Sequence, residues 1–160
     1  MILDKLTEFA DAVSVAAAAS TINVGNQIDT GAAGLDAGNG RPVYLVITVD
    51  TSIITGGAAG TIAFQLVSDS TASIAVDGTQ SIHFVSKSFV TDDDALNELD
   101  AGKIAVVVAL PMEGAVPYER FLGVQAVIGT TTITAGAISA FLTLDPRAYK
   151  AYKGATGTVN

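Results

Sequence analysis

Three stretches in the C-terminal half are apolar on both sides of an extended chain, and nothing else in the sequence constrains the fold as tightly. Ile104-Ala-Val-Val-Val-Ala-Leu-Pro111 places Ile104, Val106, Val108 and Leu110 on one face, and Ala105, Val107 and Ala109 on the other. Tyr118–Gly129 and Thr130–Asp145 follow, again dense in Val, Ile, Ala and Leu. An antiparallel strand with one wet face alternates apolar and polar residues. Here both faces require cover, so the chain reads as a sandwich built to pack into something larger.

Composition narrows the functions available. At 160 residues the chain is one domain, long enough to bury roughly two-thirds of its unfolded surface. No apolar run approaches the ~20 residues of a membrane-spanning helix, so the hydrophobicity belongs to strands and no membrane partner is expected. Eight Lys and Arg oppose sixteen Asp and Glu, a net charge of −8 that repels phosphate backbones and argues against direct nucleic-acid binding. The absence of cysteine removes disulfides, thiolate catalysis and Cys-ligated metals. Ala12–Ala19 superficially resembles the apolar part of a signal peptide. The acids Asp4, Glu8 and Asp11 precede it where a secretory leader is positive, so no cleavage is expected.

Along the chain, Ile2, Leu3, Leu6, Phe9, Ala10 and Val13 recur at helical spacing and predict a short amphipathic helix or arm. Short strands are expected at Thr21–Val24 and Gln27–Asp29, the second within a glycine-rich loop over Gly25–Gly40. Alternation then predicts strands at Val43–Asp50 and Thr61–Ser68, a weaker one at Ala72–Val76, and one at Ser81–Phe89 with Ile82 and Phe84 inward and His83 outward. Asp92-Asp93-Asp94 caps one or two helical turns at Ala95–Leu99. The strands Lys103–Leu110, Arg120–Ile128 and Ala137–Leu144 close the domain, ended by Pro111 and Pro146 where a proline interrupts. The expected fold is all-β, a jelly roll or β-sandwich of about eight antiparallel strands with a short N-terminal helix or arm. It forms a single domain over residues 1–160, with residues 1–20 as the arm and 146–160 as a tail. Leu45, Ile47, Phe64, Leu66, Val106, Val108, Val124 and Leu142 are the expected core.

Chemistry-bearing motifs are sparse. The glycine-rich stretches Gly31–Gly40 and Gly56–Gly60 lead into strands, whereas a phosphate cradle leads into a helix; they read as turns. His83 is the only histidine, so no His-clustered metal site is possible, and neither Ser81 nor Ser86 has the context of an activated nucleophile. Asp92-Asp93-Asp94 with Glu98 and Asp100 lacks the alternation and glycine of a calcium loop. No catalytic residue, metal or cofactor is expected. Arg147-Ala-Tyr-Lys-Ala-Tyr-Lys153 interleaves aromatics with cations, which in so acidic a chain suits a contact with a partner protein.

The opening Met1–Ala12, the Leu110-Pro111 strand end, and the strands Tyr118–Gly129 and Thr134–Leu144 together resemble the cement (decoration) proteins of tailed-phage capsids, of the Bordetella-phage type. That resemblance covers most of the chain and rests on a start segment and strand order. It implies a jelly roll on the outer surface of the virion, made in the host cytoplasm, bound to the major capsid protein and to itself as a symmetric dimer or trimer, with no enzymatic activity. The alternatives are an adhesive or receptor-binding sandwich of a phage fibre, and a small carbohydrate-active enzyme. Candidate interface residues are Ile2, Leu3, Leu6 and Phe9 on the N-terminal arm, Ala105, Val107 and Ala109 on the apolar strand, and Arg147, Tyr149 and Tyr152 on the tail.

Overall fold

Strands at the expected places pair into two facing antiparallel sheets. The computed structural model describes residues 5–31, 40–91, 98–112 and 116–149. In chain order the strands are β1 (Glu8–Ser14), β2 (Thr21–Asp29), β3 (Tyr44–Thr55), β4 (Gly60–Asp69), β5 (Ser81–Val85), β6 (Phe89–Thr91), β7 (Ile104–Ala109), β8 (Phe121–Gly129) and β9 (Ile133–Thr143). One sheet has the order β1-β9-β3-β7; the other has β2-β8-β4-β5, with β6 also on β4. Except for β4, β5 and β6, which stay in one sheet, successive strands cross from sheet to sheet, the two-Greek-key order of a jelly roll. β5 and β6 together fill one strand position. The chain kinks between them, where Ser86 donates its amide to Phe64 O at 2.8 Å and accepts the Phe64 amide on Oγ at 2.9 Å. Nine strands thus occupy the eight positions expected.

The inner faces supply the core. Leu45, Ile47, Val49 and Ile53 of β3 and Ile138 and Ala140 of β9 meet Ile62, Phe64 and Leu66 of β4 and Leu122, Val124 and Ala126 of β8. Register keeps these residues in phase: Leu45 lies opposite Leu142, Ile47 opposite Ala140, and Val49 opposite Ile138. Val108 and Leu142, both expected in the core, are partly buried against it.

The N-terminal segment departs from expectation. Over the described Lys5–Val13 no α-helix forms; a short 3-10 turn at Lys5–Thr7 leads into β1, an edge strand paired with β9. The ladder has register shifts between Glu8 and Ala10 and between Ala10 and Val13, and Ala12 sits at φ 49°. Each bulge breaks the two-residue alternation of a strand. Phe9, Ala10 and Val15 are buried as a result, with Val13 packed against the core, a spacing that imitates a helix in the sequence. Phe9 is 0% exposed, so Glu8–Ser14 belongs to the sandwich and is no separable docking arm.

β1 meets β2 of the opposite sheet at the sandwich edge, and Gly25 permits the approach. It has φ +69°, and a Cβ there would stand 2.0 Å from the Phe9 carbonyl oxygen. The residue must lack a side chain for both reasons.

Two other expectations change. Ala72–Val76 is a loop, and Ile82 points to solvent while His83 is half-buried. The loop is held by Asp69, whose carboxylate accepts the amides of Thr71 and Ala75 at 3.0 Å each, bonds that keep its pKa below the usual carboxylate range. Most of the helical turns expected at Ala95–Leu99, with the acidic run before them, lie outside the described residues.

Phe9→Ala is expected to destabilise the domain by about 3–5 kcal/mol, as large-to-small changes of buried aromatics do. Gly25→Ala is expected to cost at least about 2 kcal/mol from strain and clash together. Denaturant melts followed by circular dichroism check both.

Candidate interaction surface

The two outer faces of the sandwich are covered in different ways. On the β2-β8-β4-β5 sheet, Gln125 of β8 is fully buried on the side away from the core and needs partners for its amide. The Ser70–Gln80 loop provides them. Gln80 Nε2 donates to Gln125 Oε1 at 3.0 Å, and Gln125 Nε2 donates to Asn23 Oδ1 at 2.9 Å and to Ala75 O at 2.7 Å. Asn23 Nδ2 in turn donates to Ile74 O at 2.8 Å. Ile74 packs over Gly123, where a Cβ would lie 2.5 Å from Ile74 Cδ1. The loop covers this face over β8, while at the β5–β6 edge Ile82, Val85 and Val90, opposite Val67, Gln65 and Thr61, remain exposed.

The outer face of the β1-β9-β3-β7 sheet carries a second apolar layer. Val46 lies opposite both Val107 and Phe141, so one row runs Val107–Val46–Phe141 across three strands. Val46 is 0% and Phe141 3% exposed, although neither belongs to the main core cluster. In that row Val107 is 47% exposed, while Leu144 just past β9 is 56% and Leu6 in the Lys5–Thr7 turn 78% exposed. The neighbouring row, Ala109–Tyr44–Thr143, leads off the end of β3 and β9. There Arg41, Pro42, Tyr44, Leu144, Asp145, Pro146 and Arg147 line an open cleft of about 480 Å³.

Electrostatics mark that cleft. Lys5 pairs with Glu8 at 2.7 Å, Lys103 with Asp100 at 2.8 Å, and Lys87 with Glu98. Arg120 donates from Nε and Nη2 to both oxygens of Asp29 at 2.8 Å. These Arg120 bonds, with the Gly31 amide, pull the Asp29 pKa down to about 2. Among the described residues, Arg41 and Arg147 make no ion pair with any carboxylate, and both line the cleft. Asp145 is occupied with the local backbone, accepting the Arg147 amide at 3.0 Å.

The sequence candidates separate accordingly. Val107 and Ala109 face outward on β7, and Arg147 lines the cleft. Leu6 is exposed in the Lys5–Thr7 turn, which lies against β9. Two candidates are corrected. Phe9 is core, and Ala105 packs against the core because β7 bulges there: Ile47 pairs with Val106 and Thr48 with Ile104, leaving Ala105 without a partner and turning Ile104 outward. Ile2, Leu3 and Tyr152 lie outside the described residues, as does the side chain of Tyr149, the last residue of a 3-10 turn at Pro146–Tyr149. Val46, Phe141, Tyr44, Arg41 and Leu144 were not anticipated as surface or cleft residues. Arg41-Pro42 and Asp145-Pro146 flank strands far apart in sequence, and only the Tyr44–Thr143 pairing brings them together.

His83 sits elsewhere, on β5. Its ring stacks on Tyr118 at 3.8 Å, and Nε2 is 2.7 Å from Ser68 Oγ, which also accepts the Glu119 amide at 2.9 Å. Ser68 is fully buried, so the pair ties the Tyr118–Arg120 segment to β4 and β5 and its hydroxyl does not meet solvent. Among the described residues no three His, Asp or Glu side chains gather as a metal site, and no helix is long and apolar enough to cross a membrane.

Comparison with known proteins supplies the family. The Bbp16 family model matches residues 9–142, from the start of β1 to the end of β9. The chain belongs to the Bbp16 family. That name points to a Bordetella phage protein and states no role. No curated protein matches the chain. The matched span of the Bbp16-family chain contains every strand of the two sheets and the Val107–Val46–Phe141 row; Arg147 lies beyond it.

The Asp29–Arg120 pair joins the end of β2 to the start of β8 and makes a pH prediction. The folded Asp29 pKa is depressed, so its stabilisation is complete above the unfolded value of about 3.9 and is lost as pH falls through about 2. Arg120→Gln is expected to return the Asp29 titration, followed by carboxyl-carbon NMR, most of the way to the ordinary aspartate range.

Proposed function

We propose that this phage protein is a structural cement of the capsid: it binds the outer surface of the head, bridges capsomers of the major capsid protein and catalyses nothing. The observation that carries the reading is the second apolar layer on the β1-β9-β3-β7 sheet, where half-exposed Val107 stands in one row with buried Val46 and Phe141. Half-exposed aliphatic side chains grouped on one face are a liability on an isolated soluble domain and are useful when a partner covers them. The opposite face is covered over β8 by the Ser70–Gln80 loop, while Ile82, Val85 and Val90 at its β5–β6 edge stay exposed. Membership in the Bbp16 family supports a phage setting.

In mechanism, each bound copy adds an interface that must break before neighbouring capsomers separate under the pressure of packaged DNA. Contacts that are weak singly become strong when one copy holds two capsomers, because the second contact forms at high effective concentration. A chain of net charge −8 also suits the outside of a shell, away from the genome. Self-association into a symmetric dimer or trimer would place two or more such faces on one assembly.

The reading is tested by adding purified protein to undecorated shells and imaging occupancy per asymmetric unit. Val107→Lys is expected to keep the fold, since Val107 is half-exposed, and to weaken decoration by at least about tenfold by placing a charge in an apolar contact. Localisation to a tail fibre with bare shells would instead support the adhesive alternative and sink the cement reading.

A further inference from the structure

We propose that the Arg41–Arg147 cleft is a docking groove for an extended acidic segment of the partner protein, with its carboxylates taken by the two guanidinium groups. The inference deepens the cement reading by naming which part of the partner is held. Three observations carry it. The charge distribution comes first. Each of the other described cations has a carboxylate within 4 Å inside the chain, whereas Arg41 and Arg147 have none and both line the same cleft. Among the described residues of a chain of net charge −8, they are the cations left to meet a negative partner. Arginine suits that role because its planar fork takes a carboxylate through two hydrogen bonds.

Shape and continuity come next. The cleft holds about 480 Å³ and is open, with Pro42, Pro146 and the half-exposed Leu144 giving it apolar walls between the two cations. It begins at Tyr44, whose strand neighbours Ala109 and Thr143 adjoin the Val107–Val46–Phe141 row. The apolar row and the cleft are therefore neighbours along the strand direction, with the Ala109–Tyr44–Thr143 row between them. The walls are also held in place. Asp145 Oδ1 accepts the Arg147 amide at 3.0 Å, and the Asp145 amide donates to Thr143 Oγ1 at 3.2 Å, so the turn that presents Arg147 is pinned to the end of β9. Asp145 contributes one negative charge to the lining against two positive ones, which leaves the groove net positive.

The test uses the full chain and the double variant R41Q/R147Q. Both arginines are exposed and unpaired, so the variant is expected to melt with the wild type. The probe is a short synthetic peptide carrying two glutamates flanking a leucine, with a control peptide in which glutamines replace the glutamates. Wild type is expected to bind the acidic peptide, to lose it as salt rises from about 50 mM to about 200 mM, and to ignore the control. The double variant is expected to bind the acidic peptide about tenfold more weakly, the effect of removing two solvent-accessible charge pairs. Leu144→Ser is expected to weaken the peptide while leaving its salt dependence intact, which separates the apolar wall from the cations. Equal binding by the double variant, or binding of the control peptide as tightly as the acidic one, overturns the inference. Inorganic phosphate that displaces the peptide at matching concentration overturns it too, by making the cleft a general anion site.

Undecorated shells form the second arm. Reduced decoration by R41Q/R147Q at unchanged melting temperature supports the groove as part of the capsid contact. Full decoration by the double variant refutes that role and leaves the cement reading standing. Peptide capture by a wild-type protein that never binds shells refutes the cement reading and leaves the groove standing.

Discussion

The ladder between β3 and β9 organises the rest of the molecule. These are the two longest strands, and they sit side by side at the centre of one sheet. A single register decides three things at once. It sends Leu45, Ile47, Val49, Ile138 and Ala140 into the core, stacks Val46 on Phe141 on the far side, and brings Arg41-Pro42 beside Asp145-Pro146 at one end. A slip of one residue would turn every inward side chain outward. Core, apolar outer layer and cleft are therefore one structural fact seen from three sides.

The two sheets solve the problem of an apolar outer face differently. On the β2-β8-β4-β5 sheet a loop of the same chain folds over, and the buried Gln125 amide is fully matched by Gln80, Asn23 and Ala75. Each hydrogen bond there prevents a desolvation loss larger than the bond's own net gain, so the network fixes the loop in one position. On the β1-β9-β3-β7 sheet, Val107 and Leu144 remain partly in water. Exposed aliphatic side chains therefore remain on both outer faces, Ile82, Val85 and Val90 standing at the β5–β6 edge of the other sheet.

Jelly-roll topology also explains how a small, cysteine-free domain keeps two sheets together. The chain passes from sheet to sheet, and the facing edges β1 and β2 meet where Gly25 accepts the Phe9 backbone at close range. Neither edge closes by hydrogen bonds between sheets, so contact distance at that corner does the sealing. The buried Phe9 ring is what ties the first strand to the core.

Much of the fold was legible in the residues alone, because strands with one or two apolar faces announce themselves by alternation. The runs at Val43–Asp50, Thr61–Ser68, Lys103–Leu110, Arg120–Ile128 and Ala137–Leu144 all became strands, and their apolar faces form the core. Misreadings occurred where bulges disturb the two-residue period. The paired shifts in β1 made a strand look helical, and the bulge at Ala105 exchanged the sides of Ile104 and Ala105. Composition and local periodicity by themselves determined an all-β chain with more apolar surface than one core absorbs. Only tertiary structure decided which apolar side chains stay exposed and which of the described cations stay unpaired. Both depend on contacts between segments such as Arg41 and Arg147, or Gln80 and Gln125, whose separation along the chain leaves no local trace of their meeting.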